Sequence, residues 1–284
     1  MTRNRKAEAN QTPEPKSKPV RAIAITSGKG GVGKTNITAN LAIALAQQRQ
    51  EVLVWDADLG LANIDVLLGL NVLYNISHLL NGDKRLDEII IEGPSGIKIM
   101  PASSGIQEMA HLGEGQKMRL LSELDAYQSD LDFLLIDTGA GISGNVMYFN
   151  MAAQERIIVV TPEPTSITDA YALIKVMTTK YNVKKFSILV NLADSPREAK
   201  DVFMLLGAVA DKYLTSISLD YLGYIPRDEY IPKAVLKQQA VLNMYPSADC
   251  SKFFKNLAKR ILSVPVDYNM DGNIKFLWKR LLKI

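Results

Sequence analysis

The sequence has few of the residues that characterise secreted, metal-clustering or membrane-spanning proteins. Its 284 residues include one cysteine, Cys250, and two histidines. A single cysteine excludes an intramolecular disulfide and any cysteine-rich metal site within one chain. No apolar run approaches the roughly 20 residues of a membrane-spanning helix, and the N-terminus is polar where a signal peptide would be apolar. These absences predict a cytoplasmic protein.

The net charge of the chain is also small, and it is unevenly distributed along the sequence. Lys and Arg number 33 against 30 Asp and Glu, a formal net charge of +3. Residues 1–20 sum to +3 and residues 274–284 to +4, which leaves −4 for residues 21–273. Because a nonspecific nucleic-acid binder needs its basic surface on the folded body, we expect no direct contact with nucleic acid.

The order of apolar segments predicts one α/β domain over residues 21–262. Residues 1–20 contain little that could be buried and are expected to form a flexible basic tail. Continuous apolar runs separated by helix-length segments are typical of a doubly wound, mostly parallel sheet with helices on both faces. A linker over 263–273 and a short helix over 274–284 complete the expected organisation. The runs are AIAIT at 22–26, VLVW at 52–55, IKIM at 97–100, FLLID at 133–137, RIIVV at 156–160, FSILV at 186–190 and LDYLGYI at 219–225.

A phosphate-binding loop follows the first predicted strand. Its glycines allow backbone N–H groups to wrap around phosphate oxygens, and the helix that follows adds its positive N-terminal end. The pattern assigns Lys34 to the outer phosphates and the Thr35 hydroxyl to Mg²⁺. The sequence therefore predicts a Mg²⁺-bound nucleoside triphosphate as the ligand. The binding segment consists of Gly28, Lys29, Gly30, Gly31, Val32, Gly33, Lys34, Thr35 and Asn36.

Two acidic clusters follow other predicted strands, at the edge where an open α/β sheet binds its ligands. The first contains Asp56 and Asp58, and the second begins at Asp137. Phosphoryl transfer needs a metal near the outer phosphates and a residue that aligns the attacking water. We assign Asp137 to the Mg²⁺ shell with Thr35. Asp58 is assigned to water positioning, and Asp56 to the metal or to the switch network.

The nucleotide base is expected to be adenine. Residues 191–194 end another predicted strand and read Asn-Leu-Ala-Asp. They lack the lysine of the Asn-Lys-x-Asp signature of GTPases, which favours ATP over GTP.

Together these motifs resemble the MinD/ParA family of ATPases, and within it the flagellar branch. The resemblance covers residues 21–262 and is carried by SGKGGVGKTN, DADLGLANIDVLLGL and PEPTSITDAYALIK. It implies that Lys29, the second lysine of the loop, reaches across a homodimer to the partner's phosphates. It also implies that Asn191 and the loop containing Pro226 and Asp228 surround the adenosine, although turn formation would explain these residues equally well. Nitrogenase iron protein shares the loop but needs two cysteines per subunit, which excludes that branch.

The resemblance further implies a function and partners. ATP would close a homodimer, hydrolysis would reopen it, and the dimer would regulate flagellar number or placement. The implied partners are the flagellar GTPase FlhF and a flagellar transcription activator, with switch-complex proteins as further candidates. Two alternatives stay open: a MinD that selects the cell-division site, and a ParA-type ATPase that partitions DNA or plasmids.

Residues 274–284 predict an amphipathic helix that binds the cytoplasmic face of the cell membrane. At 100° per residue, an apolar arc of about 160° lies opposite most of the basic residues. A helix of this length spans about 17 Å, too short to cross a hydrocarbon core of about 30 Å, but it can lie in the interface. Packing on its own domain is the alternative, and the two states could alternate with nucleotide. The apolar arc includes Ile274, Leu277, Trp278, Leu281, Leu282 and Ile284.

Overall fold

The fold is built on a sheet of eight strands with helices on both faces. A computed structural model of the chain describes residues 20–58, 63–101, 123, 127, 131–214 and 216–264. The strand order is β3-β4-β2-β5-β1-β6-β7-β8, and all neighbouring pairs are parallel except β3 with β4. The strands are β1 Arg21–Ser27, β2 Val52–Ala57, β3 Ile91–Glu92, β4 Lys98–Met100, β5 Phe133–Ala140, β6 Glu155–Val160, β7 Lys185–Ala193 and β8 Ser218–Pro226.

Helices connect the parallel strands, as the doubly wound architecture requires. A short 3₁₀ turn at Pro94–Gly96 precedes β4. The α-helices of the described residues are α1 Lys34–Ala46, α2 Ile64–Leu68, α3 Ile76–Asn81, α4 Leu86–Ile89, α5 Gly144–Ala152, α6 Pro164–Tyr181, α7 Pro196–Tyr213, α8 Tyr230–Val235, α9 Val241–Met244 and α10 Asp249–Ser263.

The predicted fold class is confirmed, and each of the seven apolar runs forms a strand. The strand β3 was not predicted from the sequence. This strand has two residues and pairs antiparallel with β4 at the edge of the sheet. A two-residue edge strand is too short to produce a recognisable apolar pattern.

Both faces of the sheet are buried, which explains why the strands are apolar along their length. On β1, Ile23 and Ile25 pack with α1 and α10, whereas Ala22 and Ala24 pack on the opposite face with Trp55 and other residues. The helix α10 buries residues at the spacing expected of one helical face, and it covers α1. The buried residues of α10 are Cys250, Ser251, Phe254, Leu257, Ala258 and Ile261.

A buried arginine joins the first strand to the last described helix. Arg21 is 6% exposed, and its guanidinium donates to both carboxylate oxygens of Glu155 at the start of β6. It also donates to the carbonyl oxygen of Ile261, 2.5 Å away, near the end of α10. The contacts of Arg21 therefore join β1, β6 and α10 at the edge of the sheet that is opposite the phosphate-binding loop.

Three of the expected segments lie largely outside the described residues. These are the tail before Val20, the linker after Val264 and the amphipathic helix over 274–284. Within the ranges given above, no helix is long and apolar enough to cross a membrane.

Candidate nucleotide-binding site

The phosphate-binding loop lies between β1 and α1, as the motif predicts. Gly31 and Gly33 have φ angles of 76° and 93°, in the region that favours glycine. Gly28 is required for a different reason: a Cβ there would lie 2.1 Å from the carbonyl oxygen of Asp169 on α6. The loop is therefore shaped by its own backbone and by direct contact with α6.

Lys34 is buried at the start of α1, although its side chain carries a charge. Its Nζ donates to the Ser27 hydroxyl at 3.0 Å, and that hydroxyl donates to the Lys29 carbonyl oxygen at 2.7 Å. Burial lowers the pKa of Lys34, while Asp137 and Asp58 oppose that change. The lysine is thus held beneath the loop by Ser27 and is electrostatically coupled to both acidic clusters.

Strand pairing brings the two acidic clusters together. Asp56 on β2 lies opposite Asp137 on β5 in the parallel register, and Asp137 also lies opposite Ile25 on β1. Asp58 is close to the second cluster, because its Oδ1 is 3.4 Å from the position that a Cβ on Gly139 would occupy. The acids and the phosphate loop therefore meet at one edge of the sheet, as predicted.

Asp137 is the most strongly perturbed carboxylate of the site. Burial raises its pKa to about 7, although hydrogen bonds from Thr35 and Thr38 and the charge of Lys34 oppose the shift. The Thr38 hydroxyl lies 3.1 Å from Asp137 Oδ1 and 3.0 Å from the Lys34 carbonyl oxygen. A buried carboxylate beside a threonine hydroxyl is a set of hard oxygen ligands that suits Mg²⁺. The residues assigned to the metal therefore fit it, with Thr35 and Asp137 as the proposed ligands.

Asp56 organises the backbone of the loop that follows β2. Its carboxylate accepts hydrogen bonds from the N–H groups of Asp58, Asn63 and Ile64, at 3.2, 3.0 and 3.2 Å. Burial raises its pKa, and these three bonds lower it in part. Of its two proposed roles, these contacts favour the switch network.

The side chain of Lys29 bonds to two side chains of its own chain. Its Nζ bonds to the carboxylate of Glu163, which precedes α6, and to the Thr165 hydroxyl at 2.9 Å. Both ion-pair partners are partly exposed, at 34% for Lys29 and 60% for Glu163.

The residues expected around adenosine lie at the ends of β7 and β8. Asn191 is buried, and its Nδ2 donates to the Val32 carbonyl oxygen of the phosphate loop at 2.7 Å. Pro226 ends β8. The Asp228 carboxylate accepts from the N–H groups of Tyr230 at 2.9 Å and Cys250 at 3.1 Å, which is turn and helix-capping chemistry. Asn36, also assigned to the nucleotide, accepts from the Asn40 amide at 2.9 Å.

Four residues that contact the assigned groups were not identified from the sequence. Two of them could have been predicted from their positions. Ser27 immediately precedes Gly28, and Thr38 follows Thr35 by about one helical turn. Glu163 and Thr165 lie more than 130 residues from Lys29, and no local pattern connects them.

Fold and site together define a P-loop nucleoside triphosphatase. A family model described as ParA, NUBPL iron-transfer P-loop NTPase, matches residues 19–262. Antiactivator FleN of Pseudomonas aeruginosa is 44% identical and covers 93% of this chain and 94% of its own. Flagellum site-determining protein YlxH of Helicobacter pylori is 36% identical and covers 92% and 89%. The septum site-determining protein MinD of Pyrococcus horikoshii, solved with Mg-ADP, has a TM-score of 0.66 at 26% identity and covers 90% of this chain and 98% of its own.

These matches confirm the resemblance inferred from the motifs. The chain belongs to the ParA/MinD family of P-loop ATPases. The iron-transfer chemistry in the description of the family model is not supported by cysteines here, because the chain has one, Cys250, and it is buried.

The contact between Gly28 and α6 can be tested by stability measurements. Gly28→Ala should lower the free energy of unfolding by about 3 kcal/mol, because the added methyl group overlaps the backbone of α6. Gly30→Ala is the matched control, since its Cβ would meet nothing closer than 4.0 Å. We expect the control to cost less than about 1 kcal/mol. Urea unfolding without nucleotide measures both, and equal losses would contradict the packing argument.

Proposed function

We propose that this ATPase is a nucleotide switch that regulates flagellar number or placement. The supporting observation is the 44% identity to an antiactivator, FleN, over almost the whole length of both chains. The second flagellar relative, YlxH, supports the same branch. By analogy with the antiactivator, the partner would be a flagellar transcription activator, with FlhF and switch-complex proteins as further partners.

The proposed cycle uses the residues of the site in distinct roles. Lys34 and the loop backbone bind the phosphates, and Asp58 orients the attacking water. Bound Mg²⁺ would neutralise charge on the phosphates. Lys29 would leave Glu163 and bind the phosphates of a second copy, so that ATP closes a homodimer and hydrolysis reopens it.

Three substitutions separate these roles. Lys34→Ala should abolish productive ATP binding. Lys29→Ala should weaken the ATP-dependent dimer by more than about 100-fold, because a charge-assisted contact is lost from each of the two copies. Asp58→Ala should retain the dimer and reduce kcat by about 100-fold. Sedimentation with ATP and phosphate release measure these effects, with Lys180→Ala on the exposed end of α6 as the control. A monomeric Asp58→Ala protein at saturating ATP would contradict the scheme.

Flagella counts test the biological role. A deletion strain should carry too many or misplaced flagella, and the wild-type chain should restore the normal number whereas Lys34→Ala should not. Unchanged flagella together with misplaced division septa would support the cell-division alternative. Normal flagella and division with loss of plasmids would support the partition alternative.

We further propose that residues 274–284 bind the cytoplasmic face of the membrane and rest on the protein when the dimer is absent. A groove of about 1230 Å³ opens at the edge of the sheet opposite the phosphate loop, and Val264, the last described residue, lines it. The residues that line it include the apolar Met147, Phe203 and Leu219 and the basic Lys184. The nine residues 265–273 can span up to about 30 Å, which lets an apolar helix face enter the groove while its cations stay in water.

Removal of residues 274–284 tests the membrane proposal. The truncated protein should lose ATP-dependent binding to vesicles that contain anionic lipid while it retains ATP binding, because two weak helices in a dimer supply the avidity. Trp278→Ala should reduce vesicle binding in the same direction. Vesicle co-sedimentation measures both, and Lys180→Ala again serves as the control. Undiminished binding by the truncated protein would refute the proposal.

A further inference from the structure

Asn40 is a buried asparagine of α1 whose side chain joins the nucleotide site to α9. The residue is 0% exposed, and both halves of its amide have hydrogen-bond partners. Its Nδ2 donates to the carbonyl oxygen and to the side-chain Oδ1 of Asn36, both at 2.9 Å. Its Oδ1 accepts from the N–H of Leu242 on α9 at 3.2 Å. A buried polar side chain that is paired on both halves has one favourable orientation and fixes the groups around it.

Backbone groups determine which way the Asn40 amide points. The carbonyl oxygen of Asn36 can only accept, so the NH₂ group of Asn40 must face it. The N–H of Leu242 can only donate, so the oxygen of Asn40 must face α9. Rotation of the amide by 180° would bring two oxygens together on one side and two N–H groups together on the other. The orientation of Asn40 is therefore set by the backbone of two helices.

Asn40 in turn determines the orientation of the Asn36 amide. Asn36 directly follows Thr35 in the first turn of α1, and it is half-buried. Because the NH₂ group of Asn40 donates to Asn36, the oxygen of Asn36 is the half that faces Asn40. The NH₂ group of Asn36 is the half that remains for a ligand. Ionised phosphate oxygens accept hydrogen bonds, so this orientation suits a nucleotide.

The helix α9 is bonded at both ends, so it can serve as an anchor for Asn40. The residue before α9 contributes no side-chain cap, and Asn40 supplies that bond from α1. At the other end, the Ser251 hydroxyl of α10 donates to the Tyr245 carbonyl oxygen at 2.8 Å. The start of α10 is held by the Asp228 carboxylate, which accepts from the Cys250 N–H. The position of α9 is thus fixed between α1 and α10.

We infer that Asn40 is a positioning residue for phosphate binding: it aligns Asn36 so that the Asn36 NH₂ group faces the phosphates, and α9 is the backbone that fixes this alignment. Asn40 itself does not touch the nucleotide, because both halves of its amide are already paired. The inference rests on the proposed function in requiring a nucleotide at this site. It adds a dependence of that site on a helix whose bonded residue lies 202 positions from Asn40.

A double-mutant cycle in the full-length protein tests the inference. The ligands are the Mg²⁺ complexes of ATP and of inorganic tripolyphosphate, which has no base. Asn40→Ala should weaken both by about threefold to tenfold, because Asn36 loses its alignment, and Asn36→Ala should weaken both by at least about tenfold. In the Asn36→Ala background, Asn40→Ala should change the affinities by less than about twofold, since the residue that it aligns is gone. Calorimetry measures the affinities, and Asn243→Ala, at an exposed position on α9, is the matched control.

Asn40→Asp covers the case in which the alanine variant unfolds, because its carboxylate still accepts from the Leu242 N–H. It cannot donate to Asn36, so the Asn36 amide should turn its NH₂ group toward the carboxylate and its oxygen toward the phosphates. The added charge should weaken phosphate binding in either background. The loss should nevertheless be at least about threefold greater when Asn36 is present. Hydrogen exchange of the Leu242 amide should be faster in Asn40→Ala and close to wild type in Asn40→Asp.

The outcomes that contradict the inference differ from those that contradict the proposed function. Equal losses of affinity from the Asn40 substitutions with and without Asn36 would overturn the positioning role. A folded Asn40→Ala protein of lower stability and unchanged affinity would also overturn it, because the residue would then only support the core. Unchanged exchange of the Leu242 amide in Asn40→Ala would overturn the role of α9. If the wild-type chain bound neither ligand, the proposed function itself would fail.

Discussion

The parallel pairing of β2, β5 and β1 is the constraint on which the site depends. It places Asp56 beside Asp137, and it ends β1 at the position where the phosphate loop must begin. The consequence is a buried cluster in which Lys34 and two carboxylates share a small volume. Burial of a charged group is unfavourable unless it is paired. Burial is the main cause both of the lowered pKa of Lys34 and of the raised pKa of Asp137, although their mutual attraction opposes both shifts. Bound phosphates and a divalent cation would pair with the lysine and the carboxylates and would lower this cost.

The fold was largely predictable because both faces of the sheet are buried. The strands are consequently apolar along their length, and local sequence is enough to identify them. The strand β3 was not predicted, because two residues at the edge of a sheet are too few to show an apolar pattern. The phosphate loop was predictable because its local backbone conformation requires glycine, as the positive φ angles of Gly31 and Gly33 show.

The connections between site residues were much less predictable. Asn191 and Val32 are 159 positions apart, and Lys29 and Glu163 are 134 apart. Such contacts depend on how the strands are ordered in the sheet, which hydrophobic periodicity does not encode. Asp228 illustrates the related problem of choosing between roles. The sequence allowed either turn formation or nucleotide binding for this residue. In the structure, its carboxylate accepts hydrogen bonds from two backbone N–H groups.

The contact of Lys29 with Glu163 limits what can control the proposed dimer. The Lys29 side chain is about one-third exposed and the Glu163 side chain is more exposed, so solvent screens their attraction. Exposed ion pairs of this kind contribute about 0–1 kcal/mol, which corresponds to at most about a fivefold change in an equilibrium constant. Release of Lys29 from its own chain is therefore a minor cost. In the proposed dimer, the triphosphate would therefore control dimerisation, because its charge would give Lys29 a stronger partner than Glu163.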